Sequence, residues 1–210
     1  MKRIINSIIR LYSHIYTYSL SHKLQQKKSL LYNAWIKNFI GSIGVHSYVE
    51  KPCFLQGGGE KLIHIGDYSR IGSHSILGCW VKHGKNTFTP TLTIGDHCNI
   101  GDYNHISAIN NISIGDGLLT GRYVTITDHG HGNLSSENSI IPPAQRDLVS
   151  KGEVIIGNNV WIGDKAIILP GVHIGDNVIV AANTAVTKDV PCNCVVAGAP
   201  GRIVKQLTNQ

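Results

Sequence analysis

Aliphatic residues recur every six positions along the last third of the chain: Ile156, Ile162, Ile168, Ile174, Val180 and Val186. A second series of small or branched residues, Val160, Ala166, Val172, Val178 and Thr184, falls four places after successive members of the first. Glycine follows the aliphatic residue at Gly157, Gly163 and Gly175. A hexapeptide period is that of a β-helix, in which each hexad supplies one short strand and one turn. The large aliphatic side chain points into a prism, and the residue four places on must be small because it points inward too. Glycine after the aliphatic residue is expected to supply a positive φ at the corner. Three hexads form one coil of about 18 residues, and coils stack at about 4.8 Å.

The same spacing runs through the middle of the chain. It takes in Ile43, Val49 and Leu55, then Ile65, Ile71 and Leu77, then Ile94, Ile100 and Ile106, then Ile114, Thr120 and Ile126. Thr120 is the single polar member of these sets. Six coils are predicted over 43–190. Steps longer than six occur from Leu55 to Ile65, Leu77 to Ile94, Ile106 to Ile114 and Ile126 to Ile156, each after the third hexad of a set. In a three-sided prism those insertions leave from one corner, one above another. Loops held by a rigid scaffold carry function, so the site is expected along that edge.

The ends depart from the period. In residues 1–42, Ile4, Ile5, Ile8, Ile9, Leu11, Tyr12, Ile15 and Tyr16 fit a helical stripe. Lys2, Arg3, Arg10, Lys23, Lys27 and Lys28 add positive charge to it. This extension reads as one or two helices packed on the prism or on a neighbouring subunit, or as an amphipathic helix on anionic lipid, a peripheral membrane contact. Residues 191–210 are expected to cap the open end of the prism and to run into a short C-terminal helix. The fold class is thus all-β, a β-helix of hexapeptide repeats with an N-terminal helical extension.

Composition narrows the chemistry. The 210 residues suit one domain with an appendage, and 23 glycines fit a turn-rich β chain. The formal charge of +6 suggests an acidic partner. No Lys/Arg run with interleaved aromatics appears, which speaks against nucleic acid and suits a phosphate-bearing cofactor. The five cysteines form no CxxC pair, and their odd number argues for a reducing compartment and packing roles. The N-terminal apolar run is broken by Asn6, Ser7 and Arg10, without a small-residue cleavage site. Nothing approaches the ~20 apolar residues of a membrane span. The reading is cytoplasmic.

The longest insertion, 127–153, opens with Thr127-Asp128-His129-Gly130-His131-Gly132. Two histidines between glycines in a long loop are not a core arrangement, and histidine is suited to accept a proton near neutral pH. Asp128 is a candidate to orient His129 or to bind substrate, or a turn residue.

TDHGH, followed by a loop containing Arg146 and then by VIIGNNVWIG, ILPGVHIGDN, VTKDVP and VVAGAPGRIV, resembles the sugar O-acetyltransferases of the left-handed β-helix hexapeptide-repeat family. These are the maltose- and galactoside-acetyltransferase-like enzymes and the capsule and O-antigen acetyltransferases. The match is close over about residues 90–205. The resemblance implies the left hand of the helix, a homotrimer with sites between subunits, and acetyl-CoA as co-substrate without a metal. It implies a carbohydrate acceptor in cell-surface polysaccharide assembly. It maps the general base onto His129, with His131 as the other candidate or a substrate contact. It maps coenzyme contacts onto Trp161, Gly163, Ala182, Thr187, Lys188, Arg202 and Lys205. In the coil beneath the histidine loop, Asp102, Asn104 and Asn110 are the candidates to bind sugar hydroxyls, with Asp128 and His131 above them.

Three other readings stay open: an N-acetyltransferase acting on a nucleotide-linked amino sugar, a zinc enzyme similar to γ-class carbonic anhydrases, and a non-catalytic β-helix. The zinc enzyme requires an HxxxxH pair, which this sequence lacks.

Overall fold

The computed structural model describes residues 1–132 and 140–206. Two helices, α1 (Lys2–Ile15) and α2 (Tyr18–Ile36), precede a three-faced parallel β-helix. One face is a sheet of six strands, from Ser42–Ile43 to His173–Ile174. The second is a sheet of eight, beginning at Tyr48–Val49. The third has six, from Cys53–Gln56 to Ala185–Val186. Each face takes one strand from every coil, so the prism has six complete coils, as the hexad spacing predicts. Strand pairing keeps the period in register: Ile65 lies beside Ile94, Ile114 beside Ile156, and Ile156 beside Ile174.

Both inward series form the core. Ile71, Leu77, Ile100, Ile126, Ile162, Ile168 and Val180 have no exposed surface, and Val160, Ala166, Val172, Val178 and Thr184 are equally buried. Ile43 and Leu55, in the first coil, are only partly covered. Thr120, the polar member of the inward series, is buried with its hydroxyl bonded to Asn104 and to the Gly101 N–H.

The corners work differently from the expectation. Gly157, Gly163 and Gly175 do not carry the positive φ. It sits three places after the inward aliphatic residue, at His46, Tyr68, His97, Asn159 and Asn177 along one corner and at His74, Tyr103, Tyr123, Lys165 and Asn183 along the next, with φ between 54° and 61°. Glycine follows the aliphatic residue for clearance instead. A Cβ on Gly163 would stand 2.6 Å from the Ala182 nitrogen of the coil above, and one on Gly72 would stand 2.5 Å from the Gly101 carbonyl. A left-handed conformation costs a non-glycine residue about 1–2 kcal/mol, and contacts between coils offset that cost. His46, Tyr68 and His97 stack with centroids 5.0 Å apart, and His74, Tyr103 and Tyr123 stack at 4.6 and 4.9 Å. Such ring pairs contribute about 0.5–1.5 kcal/mol each. Beside the first stack, Asp67, Asp96, Asp116, Asn158 and Asp176 each accept a backbone N–H from the coil before, at 2.6–2.8 Å. The Cys192 sulfur ends this ladder by accepting the Asp176 N–H.

The extension divides in two. Thr17 caps α2 by accepting the Leu20 N–H, and the C-terminal half of α2 closes the prism. Ile36 and Ile40 are buried in the core, Asn33 accepts the Val49 N–H, and the Tyr32 hydroxyl bonds both to the Cys53 carbonyl and to its N–H. In contrast, α1 buries none of its residues.

At the other end the expected short helix is absent over 202–206. Arg202–Gln206 is a strand, antiparallel to Cys194–Ala197, with a register irregularity at Val195/Val196. Cys194–Ala197 is the last strand of its face, and an open edge of unpaired backbone groups captures a β-branched Ile203-Val204 segment more readily than that segment coils alone. Residues 207–210, onto which the predicted helix would extend, lie outside the described residues.

Gly72→Ala is expected to destabilise the fold by about 1–3 kcal/mol through the backbone it meets. Lys165→Gly should be neutral or stabilising by up to about 1 kcal/mol, because it relieves a left-handed corner. Denaturant unfolding of the two variants checks this; equal losses would contradict the division of labour.

Candidate active site

The four long insertions leave from one corner, between the third face and the first, as their positions in the repeat predict. The 127–153 loop begins and ends as a hairpin, His129–His131 antiparallel to Leu148–Ser150. Positions 133–139 of that loop lie outside the described residues. An earlier insertion forms a second small hairpin, Lys82–His83 with Asn86–Thr87. The two meet where the His83 ring approaches the His131 ring edge-on at 5.7 Å. Between them lies an open cleft of about 520 Å³, lined by Thr87, Phe88, Thr89, Ile109, Asn110 and Leu148–Ser150.

At the root of the hairpin, Asp128 is fully buried. Its two carboxylate oxygens accept the N–H groups of Ile109 and Asn110 at 2.9 and 2.8 Å. Those amides belong to the turn of the coil below, so the carboxylate is fixed by the scaffold and not by the loop. One of its oxygens also lies 3.0 Å from Nδ1 of His129. A carboxylate oxygen at this distance selects the tautomer with the proton on Nδ1, in which Nε2 carries a lone pair. Nε2 has no hydrogen-bond partner among the described residues, and the ring is mostly covered.

His105, on the coil below, is held below the ordinary imidazole value by burial first and by the neighbouring His129 second. Burial, with Asp128 and Glu60 adding to it, pushes the Cys79 thiol up to about 12. Burial also holds the Cys53, Cys98 and Cys194 thiols high, so none of these four is a ready thiolate nucleophile.

The structure sorts the residues expected from the sequence. His129, Asp128, His131 and Asn110 come together at the loop corner. Asp128, a candidate to orient His129 or to bind substrate, is fully buried, with both oxygens accepting backbone N–H groups and one of them beside His129 Nδ1. Asn104, expected among the sugar contacts, faces the interior. It is 1 % exposed, donates to Thr120 and to the Gly121 carbonyl, and accepts the Val124 N–H. It joins two coils, with both amide hydrogens donated inside the fold and the side chain closed to solvent.

Asp102 sits at another corner, between the second and third faces. There it accepts from Ser73 and faces Arg70 and Arg122 at 3.4 and 3.5 Å. The residues assigned to the coenzyme fall into two groups. Gly163 and Ala182 adjoin at that same corner. Arg202 follows Gly201, whose N–H bonds to the Ala185 carbonyl beside it. Trp161 and Lys205 stand exposed on the second face. Thr187 and Lys188 are exposed at the loop corner, with the histidines.

Phe88 and Ser150 are not among the residues the sequence singles out, whereas His105 belongs to the polar coil beneath the histidine loop. His105 carries the outward parity of its strand, and the length of the 80–90 insertion is the signal that marked Phe88.

The family described as bacterial transferase hexapeptide (six repeats) matches residues 153–188. WbbJ of Escherichia coli (strain K12), named for O-acetyl transfer in lipopolysaccharide biosynthesis, is 40 % identical over 165 residues, 76 % of this chain and 78 % of its own length. Galactoside O-acetyltransferase of the same organism is 31 % identical over 93 % of this chain and 77 % of its own. A solved structure of a galactoside acetyltransferase in complex with coenzyme A is 26 % identical, with a TM-score of 0.53, over 83 % of this chain and 69 % of that one. Fold and site thus define a left-handed β-helix transferase of the hexapeptide-repeat class. Within that class, the chain belongs to the O-acetyltransferase family of these relatives and is an acyltransferase.

Asn104→Ala should lower stability by about 1–3 kcal/mol, the cost of leaving its buried partners unpaired. The acceptor KM should stay within twofold of wild type. A raised KM at unchanged stability would return Asn104 to the substrate site.

Proposed function

We propose that the chain transfers acetyl from acetyl-CoA to a hydroxyl group of a carbohydrate during assembly of a cell-surface polysaccharide. The observation that carries the mechanism is the Asp128–His129 pair: a carboxylate pinned by two turn amides, 3.0 Å from Nδ1, with Nε2 left unpartnered among the described residues.

Nε2 of His129 takes the proton of the acceptor hydroxyl while that oxygen attacks the thioester carbonyl. The resulting imidazolium is stabilised by Asp128 through Nδ1–H. As the tetrahedral oxyanion collapses, the C–S bond breaks and the leaving thiolate recovers the proton from Nε2. Attack is direct, so no acyl-enzyme forms, in keeping with the burial that raises the Cys53, Cys79, Cys98 and Cys194 thiols. The acceptor would lie in the cleft between the two hairpins, with Asn110 and His131 as polar contacts and Phe88 as an apolar wall.

The division of the coenzyme residues between two edges of one chain supports a site shared by neighbouring subunits of a homotrimer. Lys188 and Thr187 of one subunit would face Trp161, Gly163, Ala182, Arg202 and Lys205 of the next. Basic side chains at these places suit the phosphates of the donor. The names of the relatives, one of lipopolysaccharide biosynthesis and one a galactoside enzyme, support a hydroxyl acceptor over an amine.

His129→Ala should lower kcat by at least about 10²–10⁴-fold, the usual worth of a general base, with CoA affinity retained in calorimetry. Lys188→Ala should weaken CoA binding and leave the pH profile of kcat in place. Wild-type kcat in the His129 variant would move the base to His131, and loss of CoA binding by the wild-type chain itself would remove the enzyme reading.

A further inference from the structure

Acetyl transfer makes no use of α1. All of its residues are exposed. At about 100° per residue, Ile4, Ile8, Leu11 and Ile15 lie along one line, Ile5, Ile9 and Tyr12 widen it into a broad apolar face, and Arg3 and Arg10 lie opposite the middle of that face. The four aliphatic residues are 62–72 % exposed. Charge is divided just as sharply. Of the 19 Lys and Arg residues, seven precede Glu50, which is the first acidic residue of the chain; the remaining 12 are set against all 13 Asp and Glu. The formal +6 of the protein therefore resides wholly in the helical extension, and the β-helix body is close to neutral.

That separation selects the occupant of the apolar face. A second copy would bring one cationic extension against another or against a neutral body, with no opposite charge to meet it. An anionic bilayer surface supplies both an acyl boundary for the isoleucines and phosphates for the basic residues. Insertion across the bilayer is excluded by length, since 14 residues extend about 21 Å against a hydrocarbon core of about 30 Å. Among the described residues, no helix is long and apolar enough to cross a membrane.

We propose that α1 is an interfacial anchor lying in the surface of an anionic phospholipid bilayer, with Ile4, Ile8, Leu11 and Ile15 at the acyl boundary and Arg3 and Arg10 at the headgroups. The basic residues of α2 lengthen the cationic track, and its C-terminal half, fastened through Tyr32, Asn33 and Ile36, holds the β-helix beside the membrane. The inference is independent of the acetyl-transfer reading, because it concerns lipid binding by residues outside the site.

The test is co-sedimentation of the full chain with vesicles of equal parts phosphatidylglycerol and phosphatidylcholine, and with phosphatidylcholine alone. The wild type should bind the anionic vesicles and be released as salt rises. Both I4E/I8E and R3E/R10E should bind them about tenfold or more weakly. In lipid-free buffer both variants should keep the wild-type oligomeric mass and melting temperature. Equal binding to the two vesicle types, or none to either, overturns the proposal. So does a change of oligomeric mass in I4E/I8E without lipid, which would make the face a subunit contact.

Discussion

Everything in this protein is arranged by the close approach of successive coils. Parallel strands stacked at about 4.8 Å leave no room for a side chain where the backbone bends out of one face into the next. The contacts a Cβ would make at Gly72 and Gly163 are with the backbone of the neighbouring coil, which cannot give way as a side chain can. The same closeness turns each corner into a column. Residues in a left-handed conformation stand directly above one another, so His and Tyr rings can stack and each Asp or Asn can cap the amide below it. What is unfavourable for one residue becomes tolerable in a ladder, and this is why the corners accept tyrosine, histidine and lysine as well as glycine and asparagine.

The candidate site is an extension of that ladder. Asp128 does for the turn at Ile109 and Asn110 what Asp67 and Asp96 do along another corner: its carboxylate accepts amides from the preceding coil. The difference is one residue further on, where the chain leaves the prism and His129 uses a carboxylate oxygen already held in place. The imidazole is thereby positioned by the stacked coils while standing on a loop. One carboxylate thus ties down a turn and a histidine ring, whose Nδ1 is committed and whose Nε2 has no partner among the described residues.

The molecule separates its tasks along its length and around its axis. One corner collects the insertions and the histidines, another collects Asp102 with its arginines and the Gly163–Ala182 contact, and the charge lies in the helices before the first coil. A single chain brings together the proposed base and the acceptor cleft but leaves the residues assigned to the coenzyme on two edges. Assembly of copies would join those edges.

The hexad spacing by itself determined the prism, its six coils and the corner from which the loops emerge, because an inward side chain at every sixth position is a local rule repeated without reference to anything distant. It also marked His129, since two histidines among glycines in the longest insertion have no packing explanation. Tertiary structure decided the roles that depend on neighbours from other coils. Asn104 and Asp128 look like equally available polar residues in the sequence, yet one bonds between coils and the other is held by two turn amides beside the His129 ring. Glycine after each aliphatic residue reads as a source of positive φ until the coil above is seen to occupy the space of its Cβ. Arg202–Gln206 became a strand because an open sheet edge stood beside it. For Asn104, Asp128 and the glycines the deciding partner lies in a neighbouring coil, and only stacking brings it within bonding distance.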